Sequence, residues 1–152
     1  MGLADLHVHT TASDGMMSPA MVLNYVSIHT RLDTLAITDH NTMDGWERAR
    51  EFKERPGHDH LDFDLVPGIE VSSADGHVIG LWVERVIPKG LSAAETVQVI
   101  HEQGGVALSP HPCAWLPGLK EFAGVGARFL DLPFDAVEVR NSTPTEIGRA
   151  HV

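Results

Sequence analysis

The pair His7 and His9, two residues apart in DLHVHT, is the first place where this sequence could do chemistry. In an extended strand, side chains two apart share a face. Both imidazoles therefore point one way, Val8 points the other, and one metal ion could take both. Asp14 follows in the next loop, and ligand types recur further on at His40, Glu70, His77 and His111. Ten histidines in 152 residues make metal binding the leading question, because neutral imidazole is the commonest side-chain ligand. Imidazole mixed with carboxylate suits zinc, manganese or iron(II). A single carboxylate such as Glu70 can bridge two ions through its two oxygens, so a multi-metal cluster is the economical reading. The other histidines fit it less well. His29 and His101 fall within helical patterns and His58 and His60 in a polar loop, so they are assigned to the surface or to packing.

The elements that must carry these residues follow from the apolar pattern. Residues 3–8 form a short apolar run ending in the polar cluster 9–15, as a buried strand followed by a functional loop would. Ser18-Pro19 supplies a cap and a first-turn proline for a helix over 19–30. A second strand spans 34–38, ending at Asp39-His40. A charged helix spans 43–55 and is stopped by Pro56-Gly57. Strands follow at 63–73 and, after the turn Asp75-Gly76, at 77–83. Ser92 with Glu95 makes a capping box for a third helix, ended by Gly104-Gly105. Strands at 106–112 and 134–141 complete the chain. Strands alternating with helices predict a parallel sheet or barrel whose site lies at the carboxyl ends of the strands, and five successive strands each end in a ligand type.

Composition narrows the classes. The length allows one domain, and 43% apolar with 21% charged residues describes a soluble globular chain. The net charge of −10 excludes a basic groove tracking long duplex nucleic acid. One cysteine, Cys113, cannot form an intrachain disulfide, and MGLADLHVHT lacks a basic-then-apolar leader. A cytoplasmic protein without membrane segments is expected. Leu6 stands where a myristoylation motif needs Ser or Thr.

The segments DLHVHT, SDG, ITDHNT, PGIEVS, HVIGL and SPHP, in this order and spacing over residues 3–141, resemble the polymerase and histidinol phosphatase (PHP) domain family, in particular its short stand-alone phosphoesterases and exonucleases. The resemblance implies a distorted (β/α)7 TIM-like barrel, two to three divalent ions (manganese, zinc or iron) and hydrolysis of phosphate esters through a metal-activated hydroxide. It implies that His7, His9 and Glu70 hold a first ion, Glu70, His77 and His111 a second, and Asp14 and His40 a third. Asp39 is then a carboxylate behind the ligands that orients a neighbouring group. No GSDAH-like motif closes the pattern, so the first and third sites would each lack ligands and the barrel its last strands. The expectation is a truncated domain over 1–145. The tail EIGRAHV, 146–152, is read as non-native, since GAG-ATC-GGA-AGA-GCA-CAC-GTC encodes it and most of that string is a common sequencing adapter.

Clustered divalent ions supply both the nucleophile and the positive charge that phosphoester hydrolysis needs, and they offset the acidity of the chain locally. The expected substrate is a small phosphate ester, a nucleotide or a short oligonucleotide cut from its 5′ end. Alternatives are a histidinol-phosphatase-like enzyme and a non-catalytic, metal-stabilised domain. An amidohydrolase is disfavoured because no lysine stands at a strand tip. Arg140 is assigned to an exposed salt bridge and Cys113 to packing.

Overall fold

The computed structural model describes residues 2–114 and 124–139. Its strands are β1 (Ala4–Val8), β2 (Thr34–Ile37), β3 (Asp64–Ser73), β4 (Gly76–Leu81), β5 (Val106–Ser109) and β6 (Ala136–Val137). Its helices are α1 (Pro19–His29), α2 (Asp44–Lys53) and α3 (Ala93–Glu102), with a 3₁₀ turn over Gly126–Leu130. The six strands form one sheet in chain order. Arg140 and the tail 146–152 lie outside the described residues.

The helices begin where the capping chemistry places them. Ser18 accepts from the Met21 amide with Pro19 in the first turn, and Ser92 and Glu95 make a reciprocal capping box. β4 ends early, at Trp82, which sits at φ 55, and β5 ends before Pro110 and His111, the latter at φ 28.

The sheet is mixed rather than parallel. β1, β2 and β3 run parallel, as do β5 and β6, but β4 is antiparallel to both of its neighbours. Only Ala74 and Asp75 separate β3 from β4, and a parallel return needs a crossover of a dozen residues or more, so the chain must reverse. Gly76 closes this hairpin at φ +134, opposite Ser73. The reversal changes where His77 lies on its strand. It opens β4 instead of ending it, and because β4 runs backwards, its start lies at the same edge of the sheet as the ends of the other strands.

The two faces of the sheet have different tasks. On the outer face Leu35, Ile37, Ile69, Val71, Val78 and Ala107 pack beneath the helices, α1 and α2 covering one half and α3 the other. On the inner face Ala36, Val66, Ile79, Leu81 and Leu108 pack against one another. Residues alternate between faces, so Val66 places Glu70 inward and Ile79 places His77 inward. In β1 a bulge between Asp5 and Val8 breaks the alternation: Leu6 joins the inner cluster while Val8 joins the outer one. Bulges re-aim side chains in this way, and here one sits at His7. The inner face is concave, because His7 of β1 and Glu138, just past β6, approach within 3.1 Å although their strands are the two ends of the sheet order. The result is a curled half-barrel.

The hairpin makes a measurable demand on Gly76. A Cβ there would lie 2.6 Å from Gly124 O on a backbone already at positive φ, whereas at Gly90, φ +86, it would meet nothing. In denaturant unfolding Gly90→Ala should cost roughly 1 kcal/mol. Gly76→Ala should cost on the order of 2–3 kcal/mol. Equal costs would show that the hairpin yields without strain.

Candidate metal centre

Glu70 lies mid-strand in β3 with 1% of its side chain exposed, and five imidazoles surround its carboxylate. Oε2 is 3.2 Å from His7 Nε2, 2.9 Å from His9 Nε2 and 3.4 Å from His40 Nδ1. Oε1 is 3.1 Å from His77 Nδ1 and 3.2 Å from His111 Nε2. The rings form a closed circuit, with centroid distances of 5.1 Å for His7–His9, 4.5 Å for His9–His40, 4.9 Å for His40–His77, 5.4 Å for His77–His111 and 5.7 Å for His111–His7. Asp14 sits at the rim, 57% exposed, with Oδ1 2.9 Å from His9 Nδ1 and Oδ2 3.7 Å from His40 Nε2.

Two sets of donor atoms lie within 4.8 Å of one another: His7, Glu70 and His111, and separately His9, His40 and Glu70. The structure thus gathers all seven residues singled out in the sequence, with His7, His9 and His40 facing one Glu70 oxygen and His77 and His111 the other. The half-barrel curl carries the tip of β5 over to β1, so that His111 also comes beside His7. His29, His58, His60 and His101 stay outside the circuit. His101 pairs with Asp135 at 2.9 Å, and His58 stacks on Phe52. Cys113, expected to pack, is exposed, because the chain turns away from the sheet after His111.

The backbone around the circuit is held by residues that the ligand pattern did not reveal. Asn41 stands at φ 55, a conformation asparagine tolerates, and its N–H donates to Glu70 O at 2.8 Å. Its side chain accepts from the Ser72 amide at 2.8 Å and donates to Ser72 Oγ at 3.0 Å. Beyond the end of β2, Asn41 thereby continues the attachment to β3 and places His40 beside Glu70, where the two form an isolated bridge. Asp39, fully buried, accepts from the Thr10 amide at 2.7 Å, Thr10 Oγ1 at 2.7 Å and Ser13 Oγ at 2.6 Å. What it orients is the loop after β1 that carries Asp14. Glu138 was also missed. Its Oε1 is 3.1 Å from His7 Nδ1, and its Oε2 accepts from the His111 amide at 2.7 Å. The available signal was its place at the tip of the last apolar run, the position that had marked the other ligand types.

No family model matches the chain. It is 37% identical over 150 residues to an uncharacterised protein of Methanocaldococcus jannaschii, covering 91% of this chain and 81% of that one. In structure it resembles a two-domain protein of Bacteroides vulgatus containing a predicted PHP-like metal-dependent phosphoesterase, with TM-score 0.68, 20% identity, and 91% of this chain and 44% of that one covered. The chain belongs to the PHP family. A 5′-3′ exoribonuclease of Salmonella typhimurium is 40% identical over 88 residues, 55% of this PHP chain and 29% of the nuclease. A phosphoribosyl 1,2-cyclic phosphate 1,2-diphosphodiesterase of Eggerthella lenta is 39% identical over 92 residues, 57% of this chain and 33% of that enzyme. The chain therefore spans a third or less of these two enzymes. An amidohydrolase from Chromobacterium violaceum shares the fold at TM-score 0.68 and 18% identity, covering 90% of this chain and 76% of that one.

The electrostatics of this PHP site call for a cation. Burial pushes the Glu70 carboxyl up, but the imidazoles of His111, His7, His77 and His9 outweigh it and hold the group well below the ordinary carboxylate range. Burial likewise works against a charged His7. Its contacts to Glu138 and Glu70, with the charge of both carboxylates, nevertheless push it up to about 10. His40 is pushed down by burial, with the neighbouring imidazoles of His9 and His77 adding to the effect. These contacts favour an anionic Glu70 beside a protonated His7 at neutral pH. His40 Nδ1, His77 Nδ1 and His111 Nδ1 are buried without a hydrogen bond, and His7 Nε2 and His9 Nε2 lie 3.0 Å apart against the same oxygen. The unsatisfied nitrogens of His40 and His77 face the Glu70 carboxylate beside the crowded pair of His7 and His9; such a site fits divalent ions, and the donor chemistry suits zinc, manganese or iron(II).

The Asp39 anchor depends on Gly45 in the first turn of α2, where a Cβ would lie 1.7 Å from Asp39 Oδ2 and 2.8 Å from Thr10 Oγ1. Gly45→Ala should destabilise the chain by roughly 1–3 kcal/mol in denaturant unfolding, through displacement of that carboxylate. Unchanged stability would mean that Asp39 is free to turn aside.

Proposed function

We propose that the domain this chain represents, in its intact form, carries out metal-dependent hydrolysis of phosphate esters. The observation that supports it most is the closed circuit of five imidazoles around one buried carboxylate, each nitrogen within 3.4 Å of a Glu70 oxygen. In this reading His7, His9, His40, Glu70, His77 and His111 are the ligands of two to three divalent ions, with Asp14 as a further ligand at the exposed rim. Bound ions there supply Lewis acidity, which makes a nucleophile from water at neutral pH and neutralises phosphate oxygens. The protein's own part is to direct the imidazoles at Glu70, to split the two Glu70 oxygens between two groups of ligands, and to present the rim near Asp14 to solvent.

The names of the relatives guide the substrate class, since one acts as a 5′-3′ exoribonuclease and another on a cyclic phosphate diester. A small phosphate ester, a nucleotide or a short oligonucleotide suits a chain of net charge −10 better than long duplex. The reading includes a PHP domain over 1–145 built on the (β/α)7 plan and a reducing, cytoplasmic setting. Among the described residues no helix is long and apolar enough to cross a membrane.

The test is turnover of a chromogenic phosphate ester and of a 5′-phosphorylated oligonucleotide by the manganese-loaded chain, with bound ions counted. Hydrolysis should vanish on chelation, return with Mn²⁺ and fall at least about 100-fold in Glu70→Gln, since one carboxylate serves both ligand groups. Bound metal with no turnover on any phosphoester would instead identify a metal-stabilised, non-catalytic domain.

A further inference from the structure

His7 meets a carboxylate at each ring nitrogen. Nε2 faces Glu70 Oε2 at 3.2 Å, toward the centre of the circuit, while Nδ1 faces Glu138 Oε1 at 3.1 Å, away from it. Which nitrogen of an imidazole is free to bind a metal is decided by the hydrogen bond the other makes. The second oxygen of Glu138 accepts the backbone N–H of His111 at 2.7 Å. One side chain therefore grips both histidines of the trio His7, Glu70 and His111, whose donor atoms lie within 4.8 Å of one another. The other trio, His9, His40 and Glu70, shares only Glu70 with it.

Glu138 is itself well placed for this task. β6 pairs with β5 through Leu108↔Ala136 and Ser109↔Val137, and the Glu138 amide donates to Ser109 O at 2.9 Å, continuing the ladder past the strand. That leaves the side chain, 9% exposed, reaching across the mouth of the half-barrel to β1. The His111 amide is a donor, and so is His7 Nδ1 when it carries the ring proton, so both oxygens accept. A carboxylate does this; an amide would turn an N–H toward one of the donors.

We propose that Glu138 is a positioning residue of the metal centre. It keeps the His7 proton on Nδ1, so that Nε2 is the ligand atom, and it fixes the backbone of His111 in the same trio. This rests on the metal-dependent reading above, and it predicts an uneven loss: removing the Glu138 carboxylate weakens an ion bound through His7 or His111 more than one bound without them.

The test is calorimetric titration of the chain with ZnCl₂, in wild type, Glu138→Gln and Glu138→Asp, together with long-range ¹H–¹⁵N spectra of the histidine rings in the zinc-loaded wild type. The wild type should show His7 protonated at Nδ1. Glu138→Gln should lose about 10- to 100-fold in affinity for one class of ion while retaining the other, and Glu138→Asp, with two acceptor oxygens, should recover part of the loss. Unchanged zinc affinity in Glu138→Gln, or a His7 proton found on Nε2, would overturn the proposal. The spectrum decides the matter even where a variant fails to fold. If the wild type takes up no metal at all, the metal reading fails and the role of Glu138 with it, an outcome separate from a wild type that binds zinc with an indifferent variant.

Discussion

Everything in the inner half of this molecule is arranged around the burial of one carboxylate. A lone ionised glutamate in an apolar interior is very costly, and ordinarily it would protonate instead. Glu70 does neither, because every direction around it is taken by an imidazole. Those imidazoles come from β1, the tip of β2, the start of β4 and the residues after β5, so the charge of Glu70 is compensated only when four separate segments are all in place. The site and the curl of the sheet are in that sense one feature. A flattened sheet would part β1 from β5 and leave Glu70 short of partners.

The outer half does the work of folding. Val22, Leu23, Val26, Leu35, Ile37 and Phe63 in one cluster, and Ile69, Val71, Val97, Ile100 and Ala107 in another, remove apolar surface from water, which is the principal driving force of folding. This division lets the inner face carry groups that contribute poorly to stability on their own. Buried nitrogens without hydrogen bonds at His40, His77 and His111 are a local cost that the helix-covered face must offset. Of the three non-glycine residues at positive φ among those described, two lie there, Asn41 beside the circuit and His111 within it, the third being Trp82. Strain concentrated at a constellation of ligand types is the pattern expected where geometry is being held for chemistry.

What could be read in the sequence, and what could not, follows from the range of the forces involved. The strands, helices and caps were visible because periodicity and capping act within a few residues, as Ser92 and Glu95 show. The ligand types were visible because they stand within or beside short apolar runs, His40 and His111 just past the ends of β2 and β5, Glu70 inside β3 and His77 at the start of β4. The direction of β4 went unread although its cause was present: two residues between strands cannot support a parallel return, and the alternation of strands and helices elsewhere obscured that local fact. That His111 also comes beside His7 was not legible, since it depends on the curl of the whole sheet. Glu138 and Asn41 were missed for a related reason. They act on their partners through hydrogen bonds spanning 131 and 31 residues of sequence, and nothing in their own neighbourhoods announces the far end.

The charge of the metal-free centre adds a final consequence. Glu70 is anionic and His7 cationic there, and the chain as a whole carries −10. An ion entering the centre must displace the proton from His7 Nε2 before that nitrogen can bind it, so uptake and proton release are coupled. Binding to the folded form alone would also stabilise it. Metal occupancy and the stability of the half-barrel therefore rise together.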